Sequence, residues 1–321
     1  LWVMDDIRPL REMASKGAQV IAQPLYAYPA PDAYLFAYKE AAGTRFHGDA
    51  IFKGDDREPG ALLSYSVKAT SKQDTTIKSD TVRLQISDAS GTVIRNLFQV
   101  VEKPGLQRIV WGLDKKGVRS PESAKQKAGA AEPSGFSVLP GTYTVKYTYA
   151  GKEATTKVEV KADPRFTFNQ SAAAQMSQRF DRVNAIMEKA TAAVDKLNDA
   201  KATIAKVNAA MEDSPIEGKE ALKKQGAELE KKITELKERL KSKEDVQGIY
   251  DDPTVASSRL FMAMYQVGNP YNSLNTNQEW AIAHAEKATD EGVANADAFF
   301  NTEWKAYKEK ASTINFSPFK E

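Results

Sequence analysis

The chain has 321 residues, with 45 basic and 43 acidic side chains, 41% hydrophobic residues and no cysteine. That length supports two domains, each able to bury a core of its own, and a net charge of +2 gives no electrostatic footprint for nucleic acid or an anionic membrane. Without cysteine there are no disulfides, thiol catalysis or cysteine-ligated metals, and no apolar run approaches the roughly 20 residues that span a bilayer.

The first segment opens on Leu1-Trp2-Val3-Met4, an apolar strand-like run that leads into Asp5-Asp6 without a signal-peptide pattern. Such a start is expected of a piece excised from something longer, a processed mature N-terminus being the other reading. Over residues 1–44, Pro9, Pro24, Pro29 and Pro31 interrupt any long regular element. The aromatic runs Pro24 to Pro29 and Tyr34 to Tyr38 are β-prone, so a linker with one or two short strands is expected there.

Residues 45–163 read as β. Ala61–Val67 is a strand, and Thr81–Ser87 alternates with Val82, Leu84 and Ile86 on one face. Asp88-Ala89-Ser90-Gly91 is a turn that returns the chain along Thr92–Leu97. Gln107–Trp111, Gly141–Tyr149 and Thr155–Val160 complete a set of short strands separated by turns. This pattern predicts an antiparallel β-sandwich of immunoglobulin type. The stretch 118–138, rich in Lys, Ala, Ser, Gly and Pro, predicts a mobile surface loop.

The texture changes after Asp163-Pro164-Arg165. Met176, Phe180, Val183, Met187, Ala190, Val194, Leu197 and Ile204 recur at helical spacing as a narrow apolar seam, continued by Val207 and Met211. Ser214-Pro215 breaks the helix, and Leu222, Leu229, Ile233, Leu236 and Leu240 mark a second with a Lys/Glu outer face. Asp251-Asp252-Pro253 precedes a third helix carrying Leu260, Phe261, Met264 and Tyr265, and Asp252 has a helix-capping explanation. A fourth is predicted from Thr276 to Ala311, with Trp280, Phe299, Trp304 and Tyr307. Four helices with short breaks predict an up-and-down bundle over 164–321. The fold class is thus β then α, a multidomain chain with an immunoglobulin-like antiparallel β-sandwich followed by an up-and-down helical bundle.

Candidate chemistry is sparse. The two histidines, His47 and His284, fall in different predicted domains and build neither a metal site nor a catalytic triad between them. The acid pairs Asp5-Asp6, Asp55-Asp56 and Asp251-Asp252 are sequence neighbours, whereas glycoside hydrolysis needs carboxylates facing each other across a cleft. Asp55 and Asp56, in the Gly54–Gly60 loop, are the metal candidates, for calcium, against the reading of a solvated turn. Tyr26, Tyr28 and Tyr34 are the ligand candidates, as rings that stack on sugars, against the reading of packing on the sandwich. Trp111 is expected in the core. No catalytic residue and no cofactor is expected.

The run Leu1-Trp2-Val3-Met4-Asp5-Asp6-Ile7-Arg8-Pro9-Leu10-Arg11 resembles the junction that ends the β-propeller of bacterial sortilin-like (BNR/Asp-box) proteins, which are commonly labelled glycosyl hydrolases. Pro59-Gly60-Ala61, Val82 to Asp88, Arg108 to Trp111 and Pro140 to Val145 are similar to their C-terminal region, and to the immunoglobulin-like domain of the flagellar hook-capping family. The Asp-box itself is absent, since Ser87-Asp88-Ala89-Ser90-Gly91 has the wrong spacing. The resemblance implies a non-catalytic accessory module of a larger exported protein, orienting an upstream propeller of the same polypeptide and offering a spacer or interaction surface to a protein or glycan. A carbohydrate-binding module, or part of a glycoside hydrolase acting on polysaccharide, is the alternative; the resemblance implies an extracytoplasmic location.

Overall fold

The structure is a computed structural model and describes residues 4–36, 58–68, 81–127, 129–212, 218–243 and 252–313. A β-rich part is followed by a helical part. By contacts the chain divides into a sheet unit (Leu1–Gly117, Gly129–Gln175, Pro270–Asn272) and a helical unit (Val118–Ala128, Met176–Asn269, Ser273–Glu321).

The sheet unit begins with α1 (Arg8–Lys16) and the single turn α2 (Ala18–Ile21). Pro9 does not prevent α1: in the first turn its missing N–H has no intrahelical partner to lose. β1 (Leu25–Ala27) and β2 (Ala33–Leu35) follow, the two short strands expected of this stretch. Next come β3 (Ala61–Val67), β4 (Thr81–Ser87), β5 (Val93–Val100) and β6 (Gly105–Trp111). β7 (Asp114–Lys116), β8 (Ser134–Ser137), β9 (Gly141–Tyr149) and β10 (Lys152–Ala162) complete the set.

β1, β3 and β6 form one sheet in that order, and β2-β10-β9-β4-β5 forms a second. All pairings are antiparallel except β2 with β10, where Ala33 lies opposite Val160. The alternation in β4 has the predicted consequence: Val82, Leu84 and Ile86 are buried while Arg83 and Gln85 are exposed. Those three join Leu63, Tyr65, Trp111, Val145, Tyr147 and Val158 in one apolar cluster drawn from both sheets. Each large side chain so buried contributes roughly 1.5–3 kcal/mol.

β3 does not alternate; all seven residues are buried. Ser66 is covered by the N-terminal segment and Ser64 by the neighbouring strand, since Tyr28 Oη donates to Ser66 Oγ at 3.2 Å and Arg108 Nε, on β6, to Ser64 Oγ at 3.1 Å. β9 and β10 are joined by Ala150-Gly151, both at positive φ (49° and 73°), as a two-residue hairpin turn that matches the strands' twist requires.

The polar stretch 118–138 departs from a mobile loop. β8 pairs with β7, and Phe136 and Val138 are buried. The buried Arg95 side chain donates through Nη1 to Glu132 O at 3.1 Å and Pro133 O at 2.6 Å, and Nη2 lies 3.4 Å from Asp114 Oδ2. Glu132 Oε2 in turn accepts the Asn96 backbone N–H at 2.8 Å, closing the middle of the outer edge of β5. Residues Val118–Ala128 belong to the helical unit, where Arg119 pairs with Asp195 and its carbonyl accepts from Thr191 Oγ1 at 2.8 Å. Polar composition signals solvation only when the polar groups have no protein partners.

The helical unit holds most of α3 (Gln170–Met211), then α4 (Lys219–Leu240), α5 (Ala256–Val267), α6 (Thr276–Asn301) and α7 (Glu303–Ser312). At 1.5 Å per residue, α3 is about 63 Å long. Arg182 pairs with Glu279 at 2.8 Å, Lys189 with Asp290 at 3.4 Å and Lys196 with Asp297 at 3.3 Å. Both members of each pair advance together, so α3 and α6 run parallel. α4 runs against both, with Gly226 beside Ile204 and Tyr307, and Gly292 beside Leu240. α5 also runs against α6, Gln278 Nε2 donating to Gln266 O across the turn.

Among the described residues five helices therefore make three rows: α3, then α4 followed by α5, then α6 followed by α7. The four-helix up-and-down count is revised because a break in the helical pattern does not say whether the chain reverses or continues. The single last helix is likewise revised. The chain leaves helical geometry at Thr302 (φ −116°, ψ −88°), whose Oγ1 donates to Ala298 O at 2.8 Å. Among the described residues no helix is long and apolar enough to cross a membrane.

Candidate functional site

The metal candidates Asp55 and Asp56 lie outside the described residues, as do His47 and Asp251. Among the described residues no group of three or more His, Asp or Glu side chains is placed to hold a metal ion.

The three candidate tyrosines occupy different environments. Tyr26, on β1, donates its hydroxyl proton to Glu12 Oε1 at 2.5 Å and accepts from Lys16 Nζ at 2.9 Å, which locks β1 to α1. Burial pushes the Glu12 carboxyl up, but its bonds with Lys16 and Tyr26 outweigh that and hold it below the usual value. Tyr28 is wholly buried, edge-on to Tyr26 at 5.0 Å between ring centres. Burial raises its hydroxyl pKa against the opposing bond to Ser66. Tyr34, on β2 in the other sheet, has an exposed side chain. The three do not converge on one surface.

The acid pairs divide as sequence neighbours do. Asp5 is exposed, whereas Asp6 is buried, accepting the Arg8 backbone N–H at 3.1 Å, while its carbonyl accepts from Arg108 Nη2 at 3.0 Å. Asp252 Oδ1 accepts from Thr254 N–H at 2.9 Å and Thr254 Oγ1 at 2.6 Å. It therefore fixes the turn before α5 rather than capping the helix, since the cap position belongs to Val255. His284 lies 2.8 Å from the Trp280 carbonyl through Nδ1, and its ring lies against Trp280, tilted by 32° with centres 3.9 Å apart. Trp111 is a core residue: its Nε1 donates to Asp114 O at 2.9 Å and its ring meets Tyr143 edge-on at 5.3 Å.

The helical unit has a cleft of about 510 Å³ where α4, the turn before α5 and α6 meet, lined by Glu235, Glu238, Arg239, Asp252 and Glu291 among others. Three of its carboxylates have cationic neighbours: Lys232 lies 3.8 Å from Glu235, Lys243 3.8 Å from Glu238 and Lys287 4.0 Å from Glu291. Exposed pairs of this kind keep their charges in water.

One residue escaped the sequence reading, and one set of apolar helix positions is placed differently from what the sequence suggests. Tyr271 belongs to the sheet unit, where its hydroxyl donates to Leu35 O at 2.5 Å and accepts from the Asp163 N–H at 2.8 Å. Its ring lies against Phe166 and Phe168. No local pattern marks a contact across 236 residues. Phe261, Tyr265 and Trp280, which the sequence gives as apolar positions of the third and fourth helices, are exposed, as is Met262 beside them. Here a signal was present. Phe261 and Tyr265 are four apart on the side of α5 opposite its buried line of Leu260, Ala263 and Val267.

No family model matches the chain, and no curated protein matches it in sequence.

Proposed function

We propose that the chain is a non-catalytic accessory module of a larger exported protein. In this reading the sheet unit is an immunoglobulin-like sandwich, and the helical unit is a three-row bundle that serves as spacer and interaction surface. The observation that carries it is the use made of the candidate polar groups. Tyr26, Tyr28, Asp6, Asp252 and His284 each bond to a neighbour that holds the fold in place, and they share no cleft.

The sandwich reading is supported by the sheet order. The opening segment adds β1 to one edge of the first sheet and β2, parallel to β10, to one edge of the second, so that a single stretch of chain ties the two sheets together. It is supported too by Tyr143, at the start of β9, whose hydroxyl donates back to Leu139 O at 2.7 Å in the manner of a tyrosine corner. The sortilin-like resemblance supplies the partner, an upstream β-propeller of the same polypeptide, and the extracytoplasmic location.

The test expresses this chain and its upstream polypeptide separately. Calorimetry should detect their association, and polysaccharide hydrolysis, if present, should follow the upstream piece. Hydrolysis by this chain alone, or an upstream sequence that is not a propeller, would overturn the reading. A carbohydrate-binding role is supported by the exposed ring of Tyr34, and a glycan array on folded protein tests it.

A further inference from the structure

The large hydrophobic side chains exposed on the helical unit are concentrated in one hairpin. Among the described residues of that unit they are Phe261 (69% exposed), Met262 (51%) and Tyr265 (73%) on α5, and Trp280 (58%) on α6. Phe261 and Tyr265 are one turn apart on the outer line of α5. Trp280 stands away from the buried line of α6, which runs through Ala281, Ile282, Ala285 and Thr289. Its ring packs against the tilted ring of His284, centres 3.9 Å apart, so less freedom is lost when a partner covers it. Aromatic residues and methionine are the side chains enriched at the centres of protein interfaces.

We infer that the outer face of the α5–α6 hairpin is a self-association surface, and that its occupant is the same face of a second copy of this chain. This rests on the reading of the helical unit as an interaction surface and names the partner. Area is the first argument. At roughly 200 Å² for side chains of this size, the four leave about 500 Å² of apolar surface open per copy. Two copies together would cover about 1,000 Å² from these positions alone, the size a specific interface has to reach before its rim is counted.

Charge is the second argument. Arg259 precedes the apolar line by two residues on α5, Glu279 is already paired with Arg179 at 2.7 Å and Arg182 at 2.8 Å, and Lys287 lies 4.0 Å from Glu291. No single-sign field surrounds the face, so charge neither repels a copy of itself nor draws an anionic lipid surface or nucleic acid. Pairing about a two-fold axis is self-complementary, and two helical hairpins joined in this way form a four-helix contact.

The test uses the full chain. Sedimentation velocity from about 1 to 100 μM should show a monomer–dimer equilibrium. The double variant F261E/Y265E should weaken it at least about tenfold while leaving the far-ultraviolet circular dichroism unchanged. The absence of cysteine gives a second measurement that tolerates a misfolded double variant. M262C should form a covalent dimer under mild oxidation, and K231C, on the exposed polar face of α4, should not. A monomer throughout the range, a dimer indifferent to F261E/Y265E, or M262C that fails to cross-link would each overturn the inference. So would a monomer that binds neutral vesicles or glycans through this face. Association with an upstream propeller would survive any of these results, so the two proposals fail separately.

Discussion

Gly292 tests the packing of α4 against α6. A methyl group there would come within 2.5 Å of Leu240 Cδ2 and 3.0 Å of Leu240 Cγ, and Leu240 is wholly buried at the end of α4. Two effects oppose each other in G292A. Alanine in a helix interior is favoured over glycine by about 1 kcal/mol, while forcing an extra carbon into a filled space costs about 1–3 kcal/mol. The single variant should therefore lose between about 0 and 2 kcal/mol. L240A alone should lose about 2–5 kcal/mol through the cavity it leaves. Combined, the alanine methyl enters space vacated by the leucine, so the clash vanishes and the helical preference remains. The double variant should be more stable than the sum of the singles by about 1–3 kcal/mol. Urea unfolding followed at 222 nm, where the helices dominate, gives the cycle. Additivity within about 0.5 kcal/mol would refute the contact and the antiparallel placement of α4 built on it.

In the sheet unit, Y143F removes the hydroxyl that satisfies the Leu139 carbonyl, and should cost about 1–2 kcal/mol in denaturant unfolding followed by tryptophan emission; an unchanged midpoint would count against that bond. A150G relieves a non-glycine residue at positive φ in the β9–β10 turn and should stabilise by about 0.5–1 kcal/mol, whereas a loss would mean the turn is not strained. Burial pushes the Tyr65 and Tyr143 hydroxyls up to about 12, and that of Tyr147 higher still. Groups whose acidity is weakened by folding contribute stability that is complete below pH of about 10, their unfolded value, and is lost as pH rises through about 12. Absorbance at 295 nm should show a late, cooperative ionisation coinciding with loss of the sheet signal. Independent titration of all twelve tyrosines near pH 10 would contradict the burial.

Much of the secondary structure was legible because its signal is local. The alternation of Val82, Leu84 and Ile86 and the seam from Met176 to Met211 each follow from the geometry of a single element. The candidate site was legible mainly as a set of alternatives. Tyr26 and Tyr28 serve packing and hydrogen bonding, Tyr34 is exposed, and Asp55 and Asp56 fall outside the described residues. The exposed line of Phe261 and Tyr265 was written in the spacing, but spacing alone does not distinguish a face turned to the core from one turned away.

By itself, then, the sequence determined the order of β before α, most strands and helices, and the absence of thiol chemistry. Only the tertiary structure decided that β2 runs parallel to β10 and that 118–128 belongs with the helices. It also decided that Tyr271 belongs with the sheets, and that α5 continues the direction of α4. The reason is one of range. Periodicity reports which face of an element is apolar, a property of a few neighbouring residues. Partnership depends on contacts between segments far apart in the chain, where the cost of closing the intervening loop changes slowly with its length and leaves no mark on local composition.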